Sequence, residues 1–220
     1  MLKFRQSDTL LAAMRDGKAL SRTDKLRLIV DLSIPSVLAQ ITSVLMFYID
    51  AAMVGHLGAK ASASIGLVET TTWLFGSFTS AMSLGFSVQV AHKVGAKDYD
   101  DACRVFANGL MTAGVFGIAI ALAAAAIAWP LPVWLGGGDD IRRDASLYFF
   151  VFSIALPFLQ VSNLSSNALK SSGNMRIPGA TSIMMCALDV VFNYIFIYMC
   201  GWGVVGAALG TFAAVVVTAA

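Results

Sequence analysis

The stretch Asp31-Leu-Ser-Ile-Pro-Ser-Val-Leu-Ala-Gln-Ile-Thr-Ser-Val-Leu-Met-Phe-Tyr-Ile-Asp50 decides the fold. It holds no charged residue between Leu32 and Ile49. At about 1.5 Å per helical residue this is long enough to cross a hydrocarbon core of about 30 Å. It therefore predicts a membrane-spanning helix with a carboxylate, Asp50, inside or at the rim of the bilayer. Such an acid is costly to insert and by default indicates a role with ions, protons or substrate. A purely structural role near the outer helix end is the alternative.

The composition of the whole chain also indicates a membrane protein. Of its 220 residues, 58% are hydrophobic and 13% are charged, whereas soluble domains carry about 25% charged residues. Apolar segments are expected to span the bilayer at residues 32–57, 62–91, 104–129, 145–169, 177–200 and 203–220. Their short connections would make consecutive helices antiparallel. The predicted fold is all-α integral membrane, with six transmembrane helices in a domain at 32–220.

Basic residues predict the orientation of the chain. Seven of the fifteen Lys and Arg residues lie in residues 1–31, and five more lie in connections on the same side of the predicted spans. Under the positive-inside rule, residues 1–31 form a cytoplasmic segment of a multi-pass protein. We expect it in the cell (inner) membrane. The last segment ends at Ala220 without an interfacial anchor, so we also expect the chain to be the first part of a longer protein.

Several polar side chains are predicted to meet inside the membrane. The spans contain three acids, Asp50, Glu69 and Asp189. Counted from the outer helix ends, Asp50 and Asp189 would lie about 12 and 18 Å deep, and Glu69 and Thr211 fall in a similar band. Asp189 and Asn193 are four residues apart and share a helix face. We expect a shared site in the outer half of the bilayer.

Two kinds of ion fit such a site. Carboxylate and amide oxygens suit a hard cation such as Na⁺, and a carboxyl group in apolar surroundings can take up and release a proton. The sequence does not distinguish between binding of a cation and reversible protonation. A hydrogen bond between Asp189 and Asn193 that merely fastens two helices is a third reading.

Other features of the sequence concern packing or exclude chemistry. Pro35 either bends the first span, leaving carbonyls free toward Asp50, or sits harmlessly in its first turn. Gly206-Ala-Ala-Leu-Gly210 predicts close packing of the sixth helix on a neighbour. The sequence shows no catalytic triad, phosphate-binding loop or metal-ligand spacing. We therefore expect no enzyme, no catalytic or metal site, no cofactor besides a coupling ion, and no nucleic-acid partner.

Five ordered stretches carry a family resemblance. Ile34–Gln40 leading to Asp50–Gly58 resembles the first helix of the multidrug and toxic compound extrusion (MATE) transporters. Gln89–Lys97 after the second span agrees as well, as does Asn193–Tyr198 followed by Gly203–Thr211. The resemblance implies a transporter of twelve helices in two six-helix lobes, of which this chain is similar to the N-terminal lobe.

The resemblance also implies a function and its residues. It implies a secondary antiporter that exports cationic or organic compounds in exchange for H⁺ or Na⁺, within the lipid bilayer and with a second six-helix lobe. Four residues match cation- or proton-coupling positions of the family: Asp50, the pair Asp189 and Asn193, and Thr211. The order Asp then Asn departs from relatives that carry Asn then Asp, or Asn twice. Asn163 and Asn167 on the fourth span are candidates for lining the cavity. Two further candidates come from the residues alone: Pro35, and Glu69, which matches no position of the family.

Two other functions stay open from the sequence. One is a flippase or exporter of lipid-linked sugars from the same superfamily, which would be expected to have a more basic cavity than the acids here indicate. The other is a non-transporting, truncated membrane protein, motivated by the missing second lobe. The downstream coding sequence would decide the latter.

Overall fold

The computed structural model describes residues 21–219, except the side chains of Leu32 and Pro35. The described residues form six long helices with short connections, and the predicted all-α fold is confirmed. The six are α1 (Arg22–Gly55), α2 (Ala59–Gly95), α3 (Tyr99–Ile127), α4 (Asp139–Ser171), α5 (Arg176–Tyr194) and α6 (Gly203–Ala219). A single-turn helix, Leu131–Trp134, lies between α3 and α4, and a π-helical segment, Ile195–Met199, continues α5.

The helices extend beyond the apolar segments because helical hydrogen bonding continues into the polar flanks. The boundary predicted between residues 31 and 32 falls inside α1, and residues 1–20 of the expected cytoplasmic segment lie outside the described part. Position 35 is in the interior of α1, so the first-turn reading of Pro35 is wrong. The side chain of Pro35, and with it any role in lining a cavity, lies outside the described residues.

The lengths of the helices fit a membrane protein. Five of them, α1 to α4 and α5 together with its π-helical segment, are long and apolar enough to cross a bilayer. The sixth, α6, is apolar but has 17 residues in the described part.

Short polar connections determine where the helices begin and end. Gly58, between α1 and α2, has a φ of 107°, which side chains other than glycine rarely allow. Asp98 precedes α3, and its carboxylate accepts a hydrogen bond from the Asp101 N–H at 3.2 Å, which caps the first turn. At the opposite ends of the helices, Lys60 of α2 forms an ion pair with Asp140 of α4 at 3.1 Å.

Helix α4 lies at the centre of the bundle and contacts α2, α3 and α6. Its fully buried residues, such as Phe149, Leu156 and Leu164, recur at helical spacing and form one face. Pro157 lies inside α4 and cannot donate the usual helical hydrogen bond. A Cβ atom at Gly117 of α3 would lie only 3.0 Å from the Pro157 Cα atom. Helix α3 therefore packs directly against the proline turn of α4.

Helix α1 lies at the edge of the bundle. It contacts α5 more than any other described helix, and α5 in turn packs against α6. Leu28 and Val54 are its buried hydrophobic residues among those described, whereas many of its other large apolar side chains are exposed. The position of α1 therefore depends mainly on its contacts with α5.

Candidate functional site

Asp50, Asp189 and Asn193 meet at the contact between α1 and α5. The Asn193 Nδ2 atom donates a hydrogen bond to Asp50 Oδ1 at 2.9 Å and another to Asp189 Oδ2 at 3.1 Å. Asp189 and Asn193 are 0% and 1% exposed, and Asp50 is half-buried. The structure thus brings together three side chains that the sequence analysis selected by depth and spacing. Their role in ion coupling stays a prediction.

Thr211 extends this group to α6. Its half-buried side chain is close enough to interact with the Asp189 carboxyl group, as is the side chain of Asp50. Three helices therefore contribute to one polar group, which we call the Asp50 site: Asp50 from α1, Asp189 and Asn193 from α5, and Thr211 from α6.

The Asp50 site has unused hydrogen-bonding capacity. Asp189 Oδ1 and Asn193 Oδ1 are buried and have no hydrogen-bond partner among the described residues. A buried acceptor without a partner costs about 1–3 kcal/mol. Both atoms are oxygens, which accept a proton donor or contact a hard cation. The site is therefore chemically suited to a proton or a small cation.

Two glycines of α6 allow this arrangement. A Cβ atom at Gly210 would overlap the Asn193 side-chain oxygen and lie 2.8 Å from the Asn193 backbone nitrogen. A Cβ atom at Gly206 would lie 2.7 Å from the Phe196 carbonyl oxygen. This agrees with the close packing that the Gly206–Gly210 spacing predicts. Helix α6 thus lies against the backbone of α5 and its π-helical segment.

The π-helical segment directly follows Asn193 and Tyr194. The Cys200 N–H donates to the Ile195 carbonyl at 2.9 Å, five residues back instead of four. Such π turns are rare in proteins and are frequent at functional sites. The sequence analysis treated residues 177–200 as one apolar span, because apolar content does not distinguish π from α geometry.

Two tyrosines belong to this region although sequence reasoning did not select them for it. The Tyr198 hydroxyl donates to the Met53 carbonyl of α1 at 3.1 Å. Tyr148 of α4 packs against the buried cluster around Val54 and Ile197. Tyr148 is also close enough to Asp50, Glu69 and Asp189 to interact electrostatically with all three. Because both tyrosines are uncharged, the sequence does not mark them as part of this region. Only their tertiary contacts show that they lie near the Asp50 site.

Glu69 is near the Asp50 site but does not join its hydrogen bonds. It is exposed on α2 and is close enough to Tyr148 to interact with it electrostatically. Residues at one depth can lie on different faces of their helices, and the role of Glu69 in lining a cavity stays a prediction.

Asn163 and Asn167 lie on another part of α4. Asn163 is fifteen residues from Tyr148, on the order of 20 Å along a helix. Its Nδ2 atom donates to Thr79 Oγ1 of α2 at 3.4 Å, and Asn167 is half-buried one turn further along. The structure does not bring these two residues to the Asp50 site, and their role in lining a cavity stays a prediction.

Asn163 borders a second buried polar group between α2 and α4. Gln160 is fully buried, and its Nε2 atom donates to Ser83 Oγ at 3.1 Å and contacts Met82 Sδ at 2.9 Å. Gln160 Oε1 is buried without a partner among the described residues. The sequence analysis missed this group because a single glutamine in an apolar span carries no charge signal.

Comparisons with known proteins agree with this architecture. A protein-family model described as MatE matches residues 35–195. A probable multidrug resistance protein NorM from Halalkalibacterium halodurans is 25% identical over 187 residues, which are 84% of this chain and 40% of that protein. A probable multidrug resistance protein NorM from Neisseria meningitidis serogroup B is 26% identical over 197 residues, which are 86% of this chain and 42% of that protein.

Solved structures give the same result. An outward-facing multidrug resistance MATE family transporter of the MOP superfamily matches with a TM-score of 0.82 and 26% identity, over 88% of this chain and 43% of that chain. The chain therefore spans less than half the length of the relatives that it matches. Its six helices correspond to one lobe of a two-lobe fold.

Proposed function

Because this chain belongs to the MatE family, we propose that it is one six-helix lobe of a secondary active multidrug efflux transporter. The transporter would export cationic or other organic small molecules in exchange for H⁺ or Na⁺, and it would act as a transporter and not as an enzyme. A second six-helix lobe would complete the substrate cavity. The NorM relatives and the MATE structure support multidrug efflux.

One observation carries the proposal of ion coupling: the Asn193 amide nitrogen bridges Asp50 on α1 and Asp189 on α5. Two carboxyl groups that share one neutral donor repel each other when both are ionised. A proton or cation bound between them removes that repulsion and strengthens the contact between α1 and α5. The Asp50 site can therefore convert ion binding into a change in how firmly α1 is held.

Exchange of ion and substrate requires that binding of one weakens binding of the other. Such coupling is a free energy shared between two sites and is reciprocal. Helix α1 suits this role because few of its side chains are buried, so moving it disrupts little of the hydrophobic core. We propose that the occupied and empty Asp50 site favour different positions of α1 next to the substrate cavity.

The structure suits both candidate ions. Asp50, Asp189 and Thr211 provide oxygens, and within the described part of the chain Asp189 Oδ1 and Asn193 Oδ1 have no hydrogen-bond partner. Protonation of one carboxyl group would supply a donor, whereas Na⁺ would contact several oxygens at once. Measurement of efflux under an imposed pH gradient and, separately, under a Na⁺ gradient distinguishes the two.

The decisive variant is Asp50→Asn in the full-length protein, reconstituted in proteoliposomes with a cationic fluorescent dye. Asn keeps the size of the side chain and removes its ability to ionise, so we expect ion-driven efflux to fall at least about tenfold, equivalent to about 1.4 kcal/mol. Asp100→Asn is the matched control, because Asp100 is exposed in the first turn of α3. Efflux that stays unchanged in correctly inserted Asp50→Asn would overturn the proposal.

A further inference from the structure

Tyr198 connects the π-helical segment to α1 close to the Asp50 site. Its hydroxyl group donates to the Met53 carbonyl at 3.1 Å, and Met53 lies three residues after Asp50. In a continuing α-helix the Leu57 N–H would bond to the Met53 carbonyl, but here it bonds to the Val54 carbonyl at 2.9 Å. Tyr198 thus supplies a donor to a carbonyl at the end of α1, where helices leave such groups unsatisfied.

The π turn explains how one helix can hold α1 at two points. Asn193 contacts Asp50, and Tyr198, five residues later, contacts Met53. In an α-helix, residues four apart lie one above the other, whereas in a π turn the hydrogen bond and the stacking extend over five residues. The bond from the Cys200 N–H to the Ile195 carbonyl shows this five-residue spacing. The π turn therefore directs both side chains to α1.

Apolar packing beside Tyr198 supports the same contact. Val54 of α1 and Ile197 of the π-helical segment are 6% and 3% exposed and belong to one buried cluster with Val204 and Ala207 of α6. Gly206 of α6 allows the backbone of the segment to approach closely. One neighbour of each contact residue, Ile197 beside Tyr198 and Val54 beside Met53, is therefore held by packing, which keeps the Tyr198 hydroxyl group near the Met53 carbonyl.

We propose that Tyr198 is a positioning residue of the Asp50 site. Through the Met53 carbonyl it holds the last turns of α1 in register with Asn193, so that Asp50 meets both Asn193 and Asp189. This inference rests on the proposed function, because it assigns Tyr198 to the affinity of that site for the coupling ion. Titratable groups near the site at this end of α1 lie on four helices: Asp50 and His56 on α1, Glu69 on α2, Tyr148 on α4, and Cys186 and Asp189 on α5.

The test compares Tyr198→Phe with Tyr194→Phe in the full-length protein. Each change removes the hydroxyl group of one of two neighbouring tyrosines, whose ring centroids are 5.6 Å apart. Only the hydroxyl of Tyr198 is bonded to Met53. In proteoliposomes with the cationic dye, Tyr198→Phe is expected to raise the H⁺ or Na⁺ concentration that gives half-maximal efflux about fivefold, the effect of one hydrogen bond. Tyr194→Phe is expected to match the unchanged protein, and the KM for the dye is expected to stay the same in both.

A second measurement needs no transport. Hydrogen exchange of the backbone amides in the last turns of α1 is expected to be faster in Tyr198→Phe, but not in Tyr194→Phe. Equal exchange in the two variants would overturn the inference, and so would faster exchange without a change in the ion concentration for half-maximal efflux. If Asp50→Asn still transports, the proposed function fails instead. If Asp50→Asn is inactive while both Phe variants match the unchanged protein, only the role of Tyr198 fails.

Discussion

Asn193 joins two helices through a single nitrogen atom. Its amide nitrogen donates to Asp50 at 2.9 Å and to Asp189 at 3.1 Å, while its own oxygen has no hydrogen-bond partner within residues 21–219. An amide serves here better than a third carboxylate, because it donates to both acids without adding negative charge. The order Asp189 then Asn193 places the carboxylate one turn before the amide on the same face, and the pair still reaches Asp50.

Gly210 gives the sharpest residue-level prediction about stability. Gly210→Ala would place a methyl group against the Asn193 side chain and 2.8 Å from its backbone nitrogen. Because α6 must shift away from α5, we expect the free energy of unfolding to fall by about 1–3 kcal/mol. Thermal unfolding in detergent measures the change.

A glycine on an open helix face provides the control for Gly210. Gly85 of α2 is exposed, and a Cβ atom there would meet nothing within 4 Å. Gly85→Ala is expected to stabilise the protein by about 0.5–1 kcal/mol, because alanine loses less backbone entropy in a helix. If Gly210→Ala stabilises the protein as Gly85→Ala is expected to do, the close contact of Gly210 with Asn193 does not exist in the protein.

At the level of helices, the contact between α2 and α4 contains an unsatisfied amide. Gln160→Leu removes the buried Oε1 atom, and Ser83 still donates to the Thr79 carbonyl at 2.9 Å. We therefore expect the free energy of unfolding to stay equal or rise by up to about 1 kcal/mol. Ser83→Ala removes an acceptor of the Gln160 amide and is expected to destabilise the protein. A loss of stability in Gln160→Leu larger than that in Ser83→Ala would show that the Oε1 atom has a partner, such as a buried water molecule.

The helices themselves were predictable, but their irregular turns were not. Uncharged runs such as residues 32–49 define a span from composition alone. The i, i+4 spacing of Asp189 and Asn193 likewise predicts a shared face. The π turn at Ile195–Met199 depends on hydrogen bonds between backbone atoms and on the approach of Gly206. Neither these hydrogen bonds nor the approach of Gly206 can be predicted from the periodicity of apolar residues.

At the scale of the whole molecule, two native cysteines can test the predicted orientation. Cys103 lies in the second turn of α3, beside the basic connection between α2 and α3, and Cys200 directly follows the π-helical segment near the opposite ends of the helices. Both are exposed, free thiols. With the N-terminus in the cytoplasm, a membrane-impermeant thiol reagent outside intact cells is expected to label Cys200. It should label Cys103 only after permeabilisation, which Cys103→Ser and Cys200→Ser variants verify. Labelling of Cys103 in intact cells would show that the orientation is opposite to the predicted one.

How much of the site could be predicted also depends on scale. Four residues of the site could be predicted from the sequence, because polar residues stand out in apolar spans and their depth can be counted. They are Asp50, Asp189, Asn193 and Thr211. Tyr198 gives no such signal, since it contacts a backbone carbonyl on a helix distant in sequence. Asn163 is separated from the site along the axis of α4, since it is fifteen residues from Tyr148, on the order of 20 Å.

The hydrogen bond between Asp50 and Asn193 joins residues 143 positions apart in the chain. A ribosome that adds about 5–20 residues per second makes Asn193 on the order of ten seconds after Asp50. If the helices enter the bilayer in the order of synthesis, Asp50 lies in the membrane during this interval without its hydrogen bond to Asn193. The hydrogen bond between Asp50 and Asn193 therefore forms only after α5 has been synthesised and has packed against α1.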